Sequence, residues 1–104
     1  MAKVKPKRTS AAESKQKIKR RKVTFTLETP GAKEVIVAGN FNDWNPKIHP
    51  LKTDGNGLWK RTMMLPPGTY EYKFVIDGKW QEDPKNIQTC PNRFGTLNSV
   101  VTLS

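Results

Sequence analysis

The sequence predicts an all-β fold, and three observations carry that reading. From Val23 onward, short runs rich in Val, Ile, Thr, Phe and Tyr are separated by Gly, Pro, Asn and Asp, the texture of a sandwich or barrel. Tyr70, Tyr72, Phe74 and Ile76 alternate strictly with Glu71, Lys73, Val75 and Asp77, a period of two. No stretch after residue 22 carries the apolar period of a helix. At 104 residues the chain has room for one such domain. A domain this small buries only about 60–65% of the surface its unfolded chain exposes. A deep, water-excluded pocket is hard to build on so thin a core, so a binding module fits better than an enzyme.

The elements follow in order. Val23, Phe25 and Leu27 alternate with Thr24 and Thr26 as a half-buried strand, and Thr29-Pro30-Gly31 turns the chain. Glu34 to Ala38 is a second strand whose unbroken apolar run suits burial on both faces. Asn40 to Pro50, with three Asn and two Pro, is an ordered loop. Asp54-Gly55-Asn56-Gly57 is the densest turn signal, leading into a strand from Leu58 to Leu65 that Pro66-Pro67-Gly68 closes. The alternating strand then runs to Asp77-Gly78, a two-residue hairpin signal ahead of Lys79-Trp80. Gln81 to Asn92 is polar and irregular, and Asn98 to Leu103 is the last strand.

The formal net charge of +10 divides unevenly. Residues 1–22 hold ten Lys and Arg against Glu13, a net of +9, and residues 23–104 hold nine against eight acids, a net of +1. The charge belongs to the tail, not to the fold. With no aromatic residue and a dense like-charge run, residues 1–22 are expected to be disordered. Ser10 and Glu13 have the spacing of a capping box, but Ile18 alone gives no face to dock, so at best a frayed helix forms.

The single cysteine, Cys90, excludes an internal disulfide, and Cys90 with His49 is too few ligands for a structural zinc site. No apolar run has the length of a signal peptide or a membrane span, which predicts a reduced, cytoplasmic protein that does not insert into membranes. His49, between Ile48 and Pro50, has no carboxylate or serine beside it in sequence, and Cys90 has no nearby base. Asp43, Asp77 and Asp83 read as turn residues. No catalytic residue, metal or cofactor is expected.

Three tryptophans remain. Trp59 lies inside a strand and reads as core. Trp44 and Trp80 lie in polar, turn-rich surroundings, where an indole is usually exposed on one face. An exposed indole suits the axial C–H patch of a pyranose ring, while Lys73, Thr96 and Asn98 supply hydrogen bonds for hydroxyls. The same inventory can also stack nucleobases, so composition does not choose between the two.

The motifs do. Val35-Ile36-Val37-Ala38-Gly39-Asn40-Phe41-Asn42-Asp43-Trp44, Gly57-Leu58-Trp59, Leu65-Pro66-Pro67-Gly68-Thr69-Tyr70-Glu71-Tyr72-Lys73-Phe74, Ile76-Asp77-Gly78-Lys79-Trp80 and Phe94-Gly95-Thr96-Leu97-Asn98-Ser99 appear in order. Together they resemble family 48 carbohydrate-binding modules, which include the glycogen-binding domain of AMP-activated protein kinase β subunits and the N-terminal domains of branching and debranching enzymes. The resemblance spans roughly residues 23–103. It implies an immunoglobulin-like β-sandwich over residues 23–104 that binds α-1,4-linked glucan without catalysis. By position, Trp44 and Trp80 match the two cradling indoles, Lys73 a lysine that bonds glucose hydroxyls, and Thr96 and Asn98 the polar pair of the late loop. Phe94 stands where a leucine is usual, so that loop stays apolar but bulkier, and Asn40 replaces a common serine.

The implied partners are an α-glucan polysaccharide and a glycogen-metabolising enzyme or kinase. Two alternatives stay open: a protein-interaction module on the same sandwich, and nucleic-acid or other polyanion binding through residues 3–22, which would depend steeply on salt.

Overall fold

The structure, a computed structural model, describes residues 19–104. The expectations of disorder and a frayed helix in the tail fall, up to residue 18, outside the described residues. Every regular element among the described residues is a strand: β1 (Arg21–Glu28), β2 (Val35–Gly39), β3 (Lys52–Thr53), β4 (Leu58–Leu65), β5 (Gly68–Ile76), β6 (Lys79–Gln81), β7 (Thr89–Pro91) and β8 (Leu97–Leu103). They form two antiparallel sheets packed as a sandwich. One runs β1-β4-β3, the other β2-β5-β8-β7 with β6 also on β5. β5 carries β2 along one edge. Along the other it pairs with β8 through Gly68–Tyr72 and with β6 through Phe74–Ile76.

The period-two pattern fills the space between the sheets. Val23, Phe25 and Leu27 of β1, Trp59 and Leu65 of β4, Val35 and Val37 of β2, and Tyr72 and Phe74 of β5 form one buried cluster with Leu51. The Phe25 and Tyr72 rings meet edge-on at 4.9 Å across the sheets, a geometry the ring quadrupoles favour. Trp59 is core, as its strand position implies. The unbroken apolar run of β2 has the expected cause: Ile36 and Ala38 turn away from this core into a second cluster with Val75, which Trp44 covers.

Two local devices fix β5. The Tyr70 hydroxyl donates to the Pro66 carbonyl at 2.6 Å, tying the start of the strand to the preceding turn as in immunoglobulin-type sandwiches. At the far end, Asp77 (φ 49°) and Gly78 (φ 85°) both have positive φ and join Ile76 directly to Lys79, the tight turn whose twist matches a hairpin.

The structure departs from the sequence reading at small elements. β7 lies within the stretch read as irregular, and Cys90 sits on it rather than in a loop. Three residues are too few to show alternation, and Pro91 is tolerated because β7 is an edge strand paired with β8. β3, two residues long, escapes for the same reason. β1 opens at Arg21, two residues before Val23, with Arg21 opposite Leu65 and Lys22 opposite Met64.

Candidate functional site

The antiparallel register decides what shares a face. Ile36, Val75 and Trp80 are successive partners across β2, β5 and β6, so all three project from the outer side of the larger sheet. In the next row stand Ala38 and Lys73. Trp80 is 47% exposed. Trp44, half-buried, reaches the same spot from the loop after β2, where it packs on Ile36, Ala38 and Val75. Both indoles therefore converge on Val75. Next to Trp80 lies an open groove of about 370 Å³, lined also by Glu34, Ile36, Pro46, Lys47, Val75 and Gly78.

The Trp44 loop is held in an uncommon conformation. Asp43 and Trp44 both have φ 58° and His49 has φ 63°. Non-glycine residues enter this left-handed region at a cost of about 1–3 kcal/mol each, tolerated where surrounding bonds over-determine them. Here Trp44 N–H and Asn42 N–H both donate to the Gly39 carbonyl, at 2.8 and 3.1 Å. Buried Asn42 accepts from Gly39 N–H at 3.0 Å and donates to the Val37 carbonyl at 3.1 Å and to His49 Nδ1 at 2.8 Å. Gly39 must be glycine for lack of space: a Cβ there would collide with the Glu71 carbonyl oxygen and the Phe41 ring.

A polar cluster extends the face toward β8. Lys73 Nζ donates to Thr96 Oγ1 at 3.0 Å. Asn92 Nδ2 donates to Thr96 Oγ1 at 2.7 Å and to Asn98 Oδ1 at 2.9 Å, and Asn98 Nδ2 donates to Glu71 Oε1 at 3.0 Å. Lys73 and Thr96 thus meet on the accessible face, whereas Asn98 is buried beneath them with both ends of its amide engaged. Phe94 is 77% exposed at the loop tip, with the Arg93 guanidinium 5.3 Å from its ring centre. The hydrogen bond from Asn98 holds the Glu71 carboxyl below its ordinary range, helped by the Cys90 thiol. Burial, then that carboxylate, pushes the Cys90 thiol up, the direction that disfavours the nucleophilic thiolate. Burial pushes the Tyr72 hydroxyl up as well.

Sequence reasoning missed Asn42 and Asn92, and weighed His49 only as a metal ligand or catalyst, not as a partner of Asn42. Asn42 was visible only as part of a motif. Asn92 sits four residues before Thr96 and six before Asn98, around the positive-φ Gly95, and that spacing was the available signal.

The sequence profile described as the glycogen recognition site of AMP-activated protein kinase matches residues 21–104. Subunit beta-2 of 5'-AMP-activated protein kinase from Mus musculus is 35% identical over 71 residues, 68% of this chain and 25% of that protein. Subunit beta-1 from Sus scrofa is 36% identical over 73 residues, 70% of this chain and 57% of that protein. The amyloplastic phosphoglucan phosphatase of Castanea sativa is 30% identical over 95 residues, 90% of this chain and 25% of that protein. The chain thus spans about a quarter of the kinase subunit from mouse. Among solved structures, a maltogenic amylase from S. marinus shares the fold with a TM-score of 0.68 at 23% identity, covering 82% of this chain and 14% of the amylase. With the profile spanning both sheets from the first residue of β1 to Ser104, the chain belongs to the family of the glycogen recognition site of AMP-activated protein kinase.

Proposed function

We propose that the domain binds α-1,4-linked glucan, as in glycogen, starch or a malto-oligosaccharide, and performs no chemistry on it. The observation that carries this reading is the convergence of Trp44 and Trp80 on Val75, which leaves two indoles on one open face. Each indole offers an apolar plane to the C–H patch of a glucose ring. Lys73 and Thr96, already within hydrogen-bond reach of each other, supply donor and acceptor to the hydroxyls. Phe94 adds an apolar contact at the rim. Asn98 contributes from below, bonded to Asn92 and Glu71 beneath Thr96. An indole from the loop after β2 and an indole from β6, set side by side on one face, suit the curve of an α-1,4 chain better than a straight β-1,4 chain.

The site is shallow, so hydroxyls exchange water for protein at little net gain and affinity is weak. Relatives named as kinase subunits and a phosphoglucan phosphatase support a docking role, in which the domain brings an enzyme to the polymer. The deciding experiment is a pull-down on insoluble starch or glycogen, with a Trp44→Ala/Trp80→Ala double variant as control. Retention of the wild type and loss of the double variant is the expected result. Equal retention, or no retention of either, overturns the reading.

A further inference from the structure

We propose that Asn42 and a neutral His49 position Trp44 for the sugar, so that protonation of His49 loosens the indole and weakens glucan binding. The inference rests on the glucan reading above. It begins with the orientation of one amide. Asn42 Oδ1 accepts from the buried Gly39 N–H, and Asn42 Nδ2 donates to the Val37 carbonyl. Flipping the amide would set its NH2 group against the Gly39 N–H and its oxygen against the Val37 oxygen, so the assignment is forced. The group facing His49 Nδ1 at 2.8 Å is then a donor, and Nδ1 must accept. A ring that accepts at Nδ1 is neutral and carries its proton on Nε2.

Protonation places an N–H on Nδ1, against the Asn42 amide. Asn42 cannot turn away without abandoning Gly39 and Val37, so the strain falls on the loop. That loop holds Asp43 and Trp44 in left-handed backbone, and Trp44 N–H shares the Gly39 carbonyl with Asn42 N–H. His49 itself is anchored on the other side, where its carbonyl accepts from Val37 N–H. From β4, Arg61 faces the ring, its Nη1 donating to the carbonyl of the next residue, Pro50. The Phe41 and His49 ring centres lie 6.3 Å apart. Burial, and then the Arg61 charge, lower the His49 pKa. His49 is the only histidine in the chain, so titration near neutrality has one source among the side chains of this kind.

His49→Asn isolates the effect. Asparagine Oδ1, like histidine Nδ1, is bonded to Cγ and accepts from Asn42, does not titrate, and tolerates positive φ. Affinity for maltoheptaose is measured by calorimetry from about pH 8 to about pH 5 on wild type and H49N. Nitrogen-15 NMR follows the His49 ring and the Trp44 indole with and without sugar. At neutral pH the His49 proton is expected on Nε2. On acidification the Trp44 indole signal should move in step with His49 even without sugar, and affinity should fall about tenfold. H49N should hold both constant. A proton on Nδ1 at neutral pH, a Trp44 signal indifferent to His49, or an H49N profile that tracks wild type overturns the proposal. If Trp44 follows His49 but neither protein binds sugar, the glucan reading fails and the positioning stands. If both bind with affinity indifferent to pH, the positioning fails and the glucan reading stands.

Discussion

Val75 and Trp80 face each other as direct partners across the β5–β6 hairpin, and this pairing turns the Trp80 indole outward. Trp44 also rests on Val75, but from the side and half-buried. The two indoles therefore differ in what they do for the fold. Trp80→Ala should leave thermal stability nearly unchanged and cost about 1–3 kcal/mol of malto-oligosaccharide affinity, by analogy with stacking on other ring ligands. Trp44→Ala should lose a similar affinity and also lower the melting temperature, because it uncovers Ile36 and Ala38. Calorimetry paired with thermal melts checks both halves.

Trp59→Ala should behave differently again. Its indole is core, beneath the opposite sheet from the indole pair, and deleting a buried aromatic costs roughly 3–5 kcal/mol. Against a total stability of roughly 5–15 kcal/mol this approaches unfolding. Urea titration of the three tryptophan variants should rank Trp59→Ala as the most destabilised. Equal midpoints for Trp59→Ala and Trp80→Ala would contradict the assignment of each residue to its face.

Gly39→Ala is expected to damage both stability and binding. The added methyl meets the Glu71 carbonyl and the Phe41 ring, an overpacking that costs about 1–3 kcal/mol. Relief by backbone movement would displace the carbonyl that accepts from Asn42 and Trp44. Affinity should therefore fall even at temperatures where circular dichroism shows the variant folded.

Much of this was legible in the sequence because β-structure with one buried face writes itself as alternation. Val23, Phe25 and Leu27, and Tyr72 and Phe74, are buried where the pattern puts them. The two long strands of the smaller sheet and the Asp77-Gly78 hairpin followed from the same logic. The Asn42–His49 bond did not. It joins residues seven apart across a loop whose path depends on three positive-φ residues, and nothing in residue type announces that path. Asn98 was readable as one of the polar pair of the late loop, but not the bonds by which Asn92 joins it to Thr96.

Stability should depend on pH through His49. Its folded pKa lies below the ordinary 6.5, from burial and the Arg61 charge. An unfolded chain then binds the proton more readily than the folded one. The stabilisation is fully present above about pH 6.5 and is lost as pH falls through the lower folded value. Melting temperature should decline over that acid interval in wild type. The decline should be blunted in His49→Asn, which differential scanning calorimetry at fixed ionic strength will register.

Arg21 Nε donates to the Ser104 carbonyl at 2.5 Å, so the strand that enters the sandwich and the strand that leaves it meet at one corner. Leu103 is opposite Gly68, at the start of β5, whereas the indoles gather at Val75, seven residues along. At strand rise that separation is roughly 23 Å. The sandwich therefore has Arg21 and Ser104 together at one end and its indole pair toward the other. Spliced between two neighbouring residues of a host's surface loop, it would leave that loop's ends close together while holding its aromatic face clear of the host.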